Sequence, residues 1–75
     1  MGRINKELKI VGSNLRKIRT KAHFTQADVA FHLSVNRYHY GRIEIGKVNP
    51  KLIFLISFCR FFKIEPSQIF NNLEI

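Results

Sequence analysis

Residues 24–47 read FTQADVAFHLSVNRYHYGRIEIGK. Two helix starts are written into this stretch. The Thr25 hydroxyl can accept the free backbone N–H of Asp28, and the Asp28 carboxylate suits the positive first turn of a helix. Val29, Ala30 and Leu33 then fall on an inward face, and Ser34 marks a break. Asn36 is a second N-cap, with Tyr40 and Ile43 on the buried side of the helix it opens. Gly46 ends that helix, because glycine takes the left-handed position after a last turn without steric cost. The spacing predicts two short helices, spanning about residues 25–45, joined by about three residues that include Ser34 and Val35.

The second of these helices has an unusual polar side. Arg37, Tyr38, His39 and Arg42 occupy it, and the only acid nearby is Glu44. The whole chain is basic as well, with 13 Lys and Arg against 5 Asp and Glu in 75 residues, a net charge of +8. Such a field attracts polyanions: nucleic acid, an acidic protein or an anionic membrane surface. Nucleic acid is the expected partner.

On either side, helical punctuation continues. Val11, Leu15 and Ile18 make one apolar stripe between Arg16, Lys17, Arg19 and Lys21, predicting a first helix over about residues 6–21. Asn49-Pro50 pairs a capping residue with proline at the first helical position, predicting a helix over about 50–62. Its expected inward stripe is Leu52, Leu55, Phe58, Cys59 and Phe62. Glu65-Pro66 opens a last short helix bearing Ile69 and Phe70. Strand alternation and hairpin turns are missing. The expected fold is all-α, five helices in a single domain over residues 1–75.

Composition excludes several other classes. Cys59 is the only cysteine, so no disulfide forms within one chain, and a lone thiol suits a reducing, cytoplasmic setting. His23, His32 and His39 have no ligand spacing with it, so no metal site is expected. Residues 1–12 lack an uninterrupted apolar core, so no secretory signal is expected. The run LIFLISF at 52–58 is too short to span a bilayer. Ser13, Ser34, Ser57 and Ser67 have no accompanying His/Asp constellation, and no phosphate-cradling glycine loop occurs. An enzyme, a cofactor and a small-molecule ligand are therefore not expected.

The pattern as a whole resembles the Cro/CI (XRE-type) helix-turn-helix family. Phe24, Thr25-Gln26, Val29-Ala30, Val35, Asn36, Ile43-Glu44 and Gly46 match its motif. Upstream Arg19 and downstream Asn49-Pro50, Leu52, Leu55, Phe62 and Ile64 also match. The likeness extends over about residues 11–70 and implies a compact lambda-repressor-like domain. The chain departs from the family at His23 and Ser34, where glycine is usual; a serine in that tight turn is expected to need a strained or altered backbone, or a slightly different angle between the helices. Tyr40 replaces a smaller aliphatic residue, so the second helix of the motif is expected to be lifted from the core.

Roles follow from the resemblance. The glutamate matching Glu44 pairs within the domain with the arginine matching Arg19, against the alternative of a solvated charge at the helix end. Arg37, Tyr38 and Arg42 match positions facing base edges, where arginine grips guanine O6 and N7 and tyrosine packs on a thymine methyl or bonds a phosphate. Gln26 and Asn36 match phosphate-contacting positions, although both also serve as ordinary helix-start residues. His39, Lys47, Asn49 and Lys51 are expected to meet the DNA backbone. Gly41 permits close packing or close approach to DNA, or is neutral.

Apolar residues on the remaining faces of the fourth helix call for a cover beyond one small domain. Ile53, Phe54, Phe61 and Phe70 are the expected dimer interface, within C-terminal helices at about 50–72. Phage-repressor-like proteins in this family usually dimerise through their C-terminal helices, and the chain resembles small phage repressors and restriction–modification controller proteins. The expectation is a homodimeric, sequence-specific regulator of transcription on an inverted-repeat operator in double-stranded DNA, located in a bacterial cytoplasm. The alternative is an antitoxin that covers a toxin with the same apolar helix and regulates its own operon. Non-specific nucleic-acid or membrane-surface binding would explain the charge but not the motif.

Overall fold

The computed structural model describes residues 2–74, with side chains described from Lys6 onward. Its helices are α1 (Gly2–Lys21), α2 (Gln26–His32), α3 (Arg37–Glu44), α4 (Leu52–Phe62) and α5 (Pro66–Ile69). Among the described residues there is no strand, and no helix is long and apolar enough to cross a membrane.

The caps act where the residues place them. Thr25 Oγ1 accepts from the Asp28 N–H at 3.0 Å, and Asp28 Oδ2 accepts from the Thr25 N–H at 2.9 Å, closing a capping box. Asn36 Oδ1 accepts from the N–H groups of Tyr38 and His39. Pro66 sits in the first turn of α5. Two boundaries differ from expectation. α1 begins at Gly2 rather than near residue 6, since no proline interrupts that segment. α4 begins two residues after Pro50, with Lys51 as an N-cap that makes no side-chain bond. A proline biases the residue before it toward extended backbone, and Lys51 (ψ 147°) is extended too.

The ends of α1 to α4 share one geometry. Phe24 N–H bonds Arg19 C=O, Val35 bonds Ala30, Lys47 bonds Arg42 and Ile64 bonds Cys59, each reaching five residues back. The residue before each donor is left-handed: His23 (φ 64°), Ser34 (57°), Gly46 (76°) and Lys63 (56°). This is the Schellman closure, and three of the four donors are apolar residues that pin the chain to the core. His23 and Ser34 therefore adopt glycine-like backbone as L residues.

The core draws Val11 and Leu15 from α1, Val29 and Ala30 from α2, Tyr40 and Ile43 from α3, Phe54, Phe58 and Cys59 from α4, and Ile69 from α5. α3 lies hard against α1. A Cβ on Gly12 would collide with the carbonyls of Ile43 and Glu44, and one on Gly46 would come within 2.8 Å of Lys9 backbone. Tyr40 does not lift α3. It is fully buried with its ring centroid 5.9 Å from that of Phe54, so its extra volume is taken up inside.

α4 is rotated from the expected register. Phe54, assigned above to the dimer face, is 7% exposed and forms a buried ladder with Phe58, which stacks toward Phe62. Leu52, assigned to the inward stripe, is 72% exposed at the first position of the helix, beyond the core. Phe61 is half-buried on another side, among Phe24, His32 and Phe62. The exposed apolar face of α4 and α5 consists of Leu52, Ile53, Ile56 and Phe70. Leu52, Ile56 and Phe70 border a groove floored by Leu55, Cys59 and Ile69.

Candidate nucleic-acid interface

α3 divides cleanly into two sides. Tyr40, Ile43 and Glu44 are buried, while Arg37, Tyr38, His39 and Arg42 are exposed, Tyr38 at 80%. An open groove brings Arg37, Tyr38 and Arg42 together with Gln26, Asn36, Gly41 and Ile45. A smaller cleft beside it joins Asn36, His39 and Lys51 with Val35, Ile43 and Phe54. Lys47 and Asn49 are exposed in the loop between α3 and α4, outside both depressions.

The only acid of α3 is turned into the domain. Arg19 Nε donates to Glu44 Oε2 at 2.6 Å and Arg19 Nη2 donates to Oε1 at 3.0 Å, a two-pronged grip. Arg19 Nη1 donates to the Phe24 carbonyl at 2.7 Å, tying the pair to the turn before α2. The Tyr40 hydroxyl also donates to Oε2, and Gln26 Nε2 donates to Oε1 at 3.0 Å. α1, α2 and α3 thus meet on one carboxylate. Burial alone would raise the Glu44 pKa, but bonds from Arg19, Tyr40 and Gln26 outweigh it and hold the group below the ordinary value. Burial, then the Glu44 bond, drives the Tyr40 phenol up, so it stays protonated as a donor. The Glu44 bond raises Arg19. The network therefore keeps one ionic state at neutral pH.

Gln26 explains Gly41. A Cβ at position 41 would lie 3.2 Å from Gln26 Oε1. The bare α-carbon lets the Gln26 side chain cross α3 to reach Glu44, so close packing is the reading the geometry favours. Gln26 is half-buried and its amide N–H is engaged internally. Asn36 commits its side-chain oxygen to capping α3.

Two participants were missed in the sequence. Tyr40 lies four residues before Glu44, the spacing that makes helix neighbours, and could have been recognised as its donor. Ile45 lies seven residues after Tyr38, two turns along the same face, and lines the same groove.

A helix-turn-helix family model matches residues 15–69, and the chain belongs to this XRE-type family of DNA-binding domains. Over 41 residues, 55% of this chain, it is 42% identical to the SPbeta prophage-derived uncharacterized HTH-type transcriptional regulator YonR of Bacillus subtilis. That match covers 38% of YonR's own length. The fold is similar to the restriction-modification controller protein C.AhdI from Aeromonas hydrophila, with a TM-score of 0.82 and 29% identity. That likeness covers 87% of this chain and 98% of C.AhdI.

Proposed function

We propose that this chain is a sequence-specific regulator of transcription that binds double-stranded DNA as a homodimer on an inverted-repeat operator in the cytoplasm. The observation that carries this reading is the outward face of α3. Arg37, Tyr38 and Arg42 share an open groove, and the helix's one carboxylate is bound internally. A helix of this kind enters the major groove, where arginine discriminates guanine. Gln26, Asn36, His39, Lys47, Asn49 and Lys51 are proposed to meet the DNA backbone, which sets register rather than sequence. The Arg19–Glu44 pair is proposed to hold the angle between the helices. The exposed face of Leu52, Ile53, Ile56 and Phe70 is the proposed dimer interface, supported by its apolar character and by the likeness to a restriction-modification controller protein. Two recognition helices would then meet half-sites about one helical turn apart.

The test separates base reading from phosphate gripping. A selected operator and a scrambled duplex are titrated across a salt series with wild type and variants. Phosphate contacts add affinity without regard to sequence, with a salt slope of roughly −0.9 per phosphate neutralised. Lys47→Ala is expected to weaken both duplexes alike and flatten the slope. Arg37→Ala and Arg42→Ala are expected to hurt the operator more, by roughly 1–3 kcal/mol for each bidentate arginine–guanine pair removed. Equal weakening on both duplexes would make the arginines phosphate clamps and overturn the assigned face.

A further inference from the structure

Among the described residues, seven large hydrophobic side chains are exposed, and they sort into places. Four form the α4–α5 face, and Phe31 stands on α2. The remaining two, Tyr38 and Ile45, lie on the outward face of α3 and at its end. Ile45 is 56% exposed, yet it sits in a groove whose other walls are Gln26, Asn36, Arg37, Tyr38, Gly41 and Arg42. At about 100° and 1.5 Å per residue, Ile45 projects within about 20° of Tyr38 and about 10 Å further along, with Arg42 between them in rise. Between Tyr38 and Ile45 the groove wall is low, formed by the bare α-carbon of Gly41 and the Gln26 amide that lies over it.

An isoleucine at this position cannot hydrogen-bond a phosphate or a base edge. The apolar feature that the major groove offers is the C5-methyl group of a pyrimidine. Building on the DNA-binding reading above, we propose that Ile45 is a specificity-determining residue that packs on a pyrimidine C5-methyl group beside the base pairs read by Arg42. Two bases carry that methyl: thymine and 5-methylcytosine. Arg37 and Arg42 supply hydrogen bonds, and Ile45 supplies discrimination for methyl against hydrogen at C5. Its backbone stays in the fold whatever the side chain, because its N–H caps α3 on the Gly41 carbonyl at 3.3 Å.

The experiment starts from an operator selected with the wild-type chain. Uracil replaces thymine one position at a time, and separately cytosines are methylated at C5. Affinities are measured for wild type, Ile45→Ala and Ile45→Val. At one thymine, uracil is expected to weaken wild type about fourfold, the ratio for losing one buried methylene-sized group. Ile45→Ala is expected to show no such loss at that position, and Ile45→Val an intermediate one. If the base is a cytosine instead, methylation strengthens wild type by a similar factor and leaves Ile45→Ala unmoved. If selection recovers a specific operator but no pyrimidine position responds differently in wild type and Ile45→Ala, the assignment of Ile45 is overturned while the DNA-binding reading stands. If selection recovers no preferred sequence, the specific DNA-binding reading fails, and this inference with it.

Discussion

The Tyr40 hydroxyl donates to the same oxygen of Glu44 that receives the Arg19 Nε–H. One carboxylate oxygen thus joins a charged donor from α1 to a neutral donor one turn back on α3. Tyr40→Phe keeps the ring against Phe54 and removes only the donor. A bond to a charged group contributes about 1.5–3 kcal/mol, so denaturant unfolding should report a loss in that range. Glu44→Ala strands the buried Arg19 guanidinium and should cost more, about 3–5 kcal/mol. An unchanged midpoint for Tyr40→Phe would show that the hydroxyl adds nothing to the pair.

Acid should expose the same network. The folded pKa of Glu44 is lowered from its ordinary 4.5, so its contribution is fully present above that value and is lost as pH falls through the folded pKa. Asp28 shifts in the same direction, through the Thr25 backbone and hydroxyl bonds of the capping box. Stability is expected to be flat from neutrality to about pH 5 and to fall steeply below about pH 4. Glu44→Gln should start lower and fall less. Thermal melts across that range decide it; parallel curves for the two proteins would remove Glu44 as the source.

Gly41 and Gln26 should be energetically coupled. Alanine inside a helix is favoured over glycine by about 1 kcal/mol. Gly41→Ala in the wild-type background should gain little or lose stability, because the new methyl presses on the Gln26 amide. In a Gln26→Ala background the same change should recover about the full 1 kcal/mol. A double-mutant cycle with no coupling would mean that the Gln26 side chain moves aside freely.

The left-handed helix ends make a prediction of opposite sign at different positions. Ser34→Gly and His23→Gly relieve a left-handed L residue and should stabilise by about 0.5–1 kcal/mol each, after the greater chain entropy of unfolded glycine is subtracted. Gly46→Ala should destabilise by more, since its Cβ meets the backbone of Lys9 as well as a φ of 76°. Denaturant midpoints rank the three; a destabilised Ser34→Gly would show that the turn carries no strain.

Assembly tests the rotated register of α4. Leu52→Asp with Ile56→Asp should turn a micromolar dimer into a monomer in sedimentation while the helical signal of the fold persists, with a melting temperature that falls and loses its concentration dependence. Phe54→Asp should instead unfold the domain, because its ring lies between Tyr40 and Phe58. Wild type that sediments as a monomer at micromolar concentration, with and without DNA, would remove the dimer from the proposal.

The features determined by sequence alone were the ones set by a few adjacent residues. Thr25 with Asp28, Asn36 and Gly46 mark helix ends because each cap is satisfied within a few residues, and Pro66 marks one because its fixed φ suits a first helical turn. At His23 and Ser34 only the resemblance, which places glycine there, pointed to an unusual turn, and the structure makes both left-handed. The outward side chains of α3 followed from helical periodicity measured against Tyr40 and Ile43. Tertiary structure decided which side of α4 is inside. That helix is apolar on more than one face, so periodicity could not choose between Leu52 and Phe54; packing against Tyr40 chose Phe54. Tertiary structure also decided that Gln26 crosses Gly41 to Glu44 and that Gly12 seats α1 on the carbonyls of α3. Those pairings join residues of different helices, far apart along the chain, and their geometry exists only once the helices have packed.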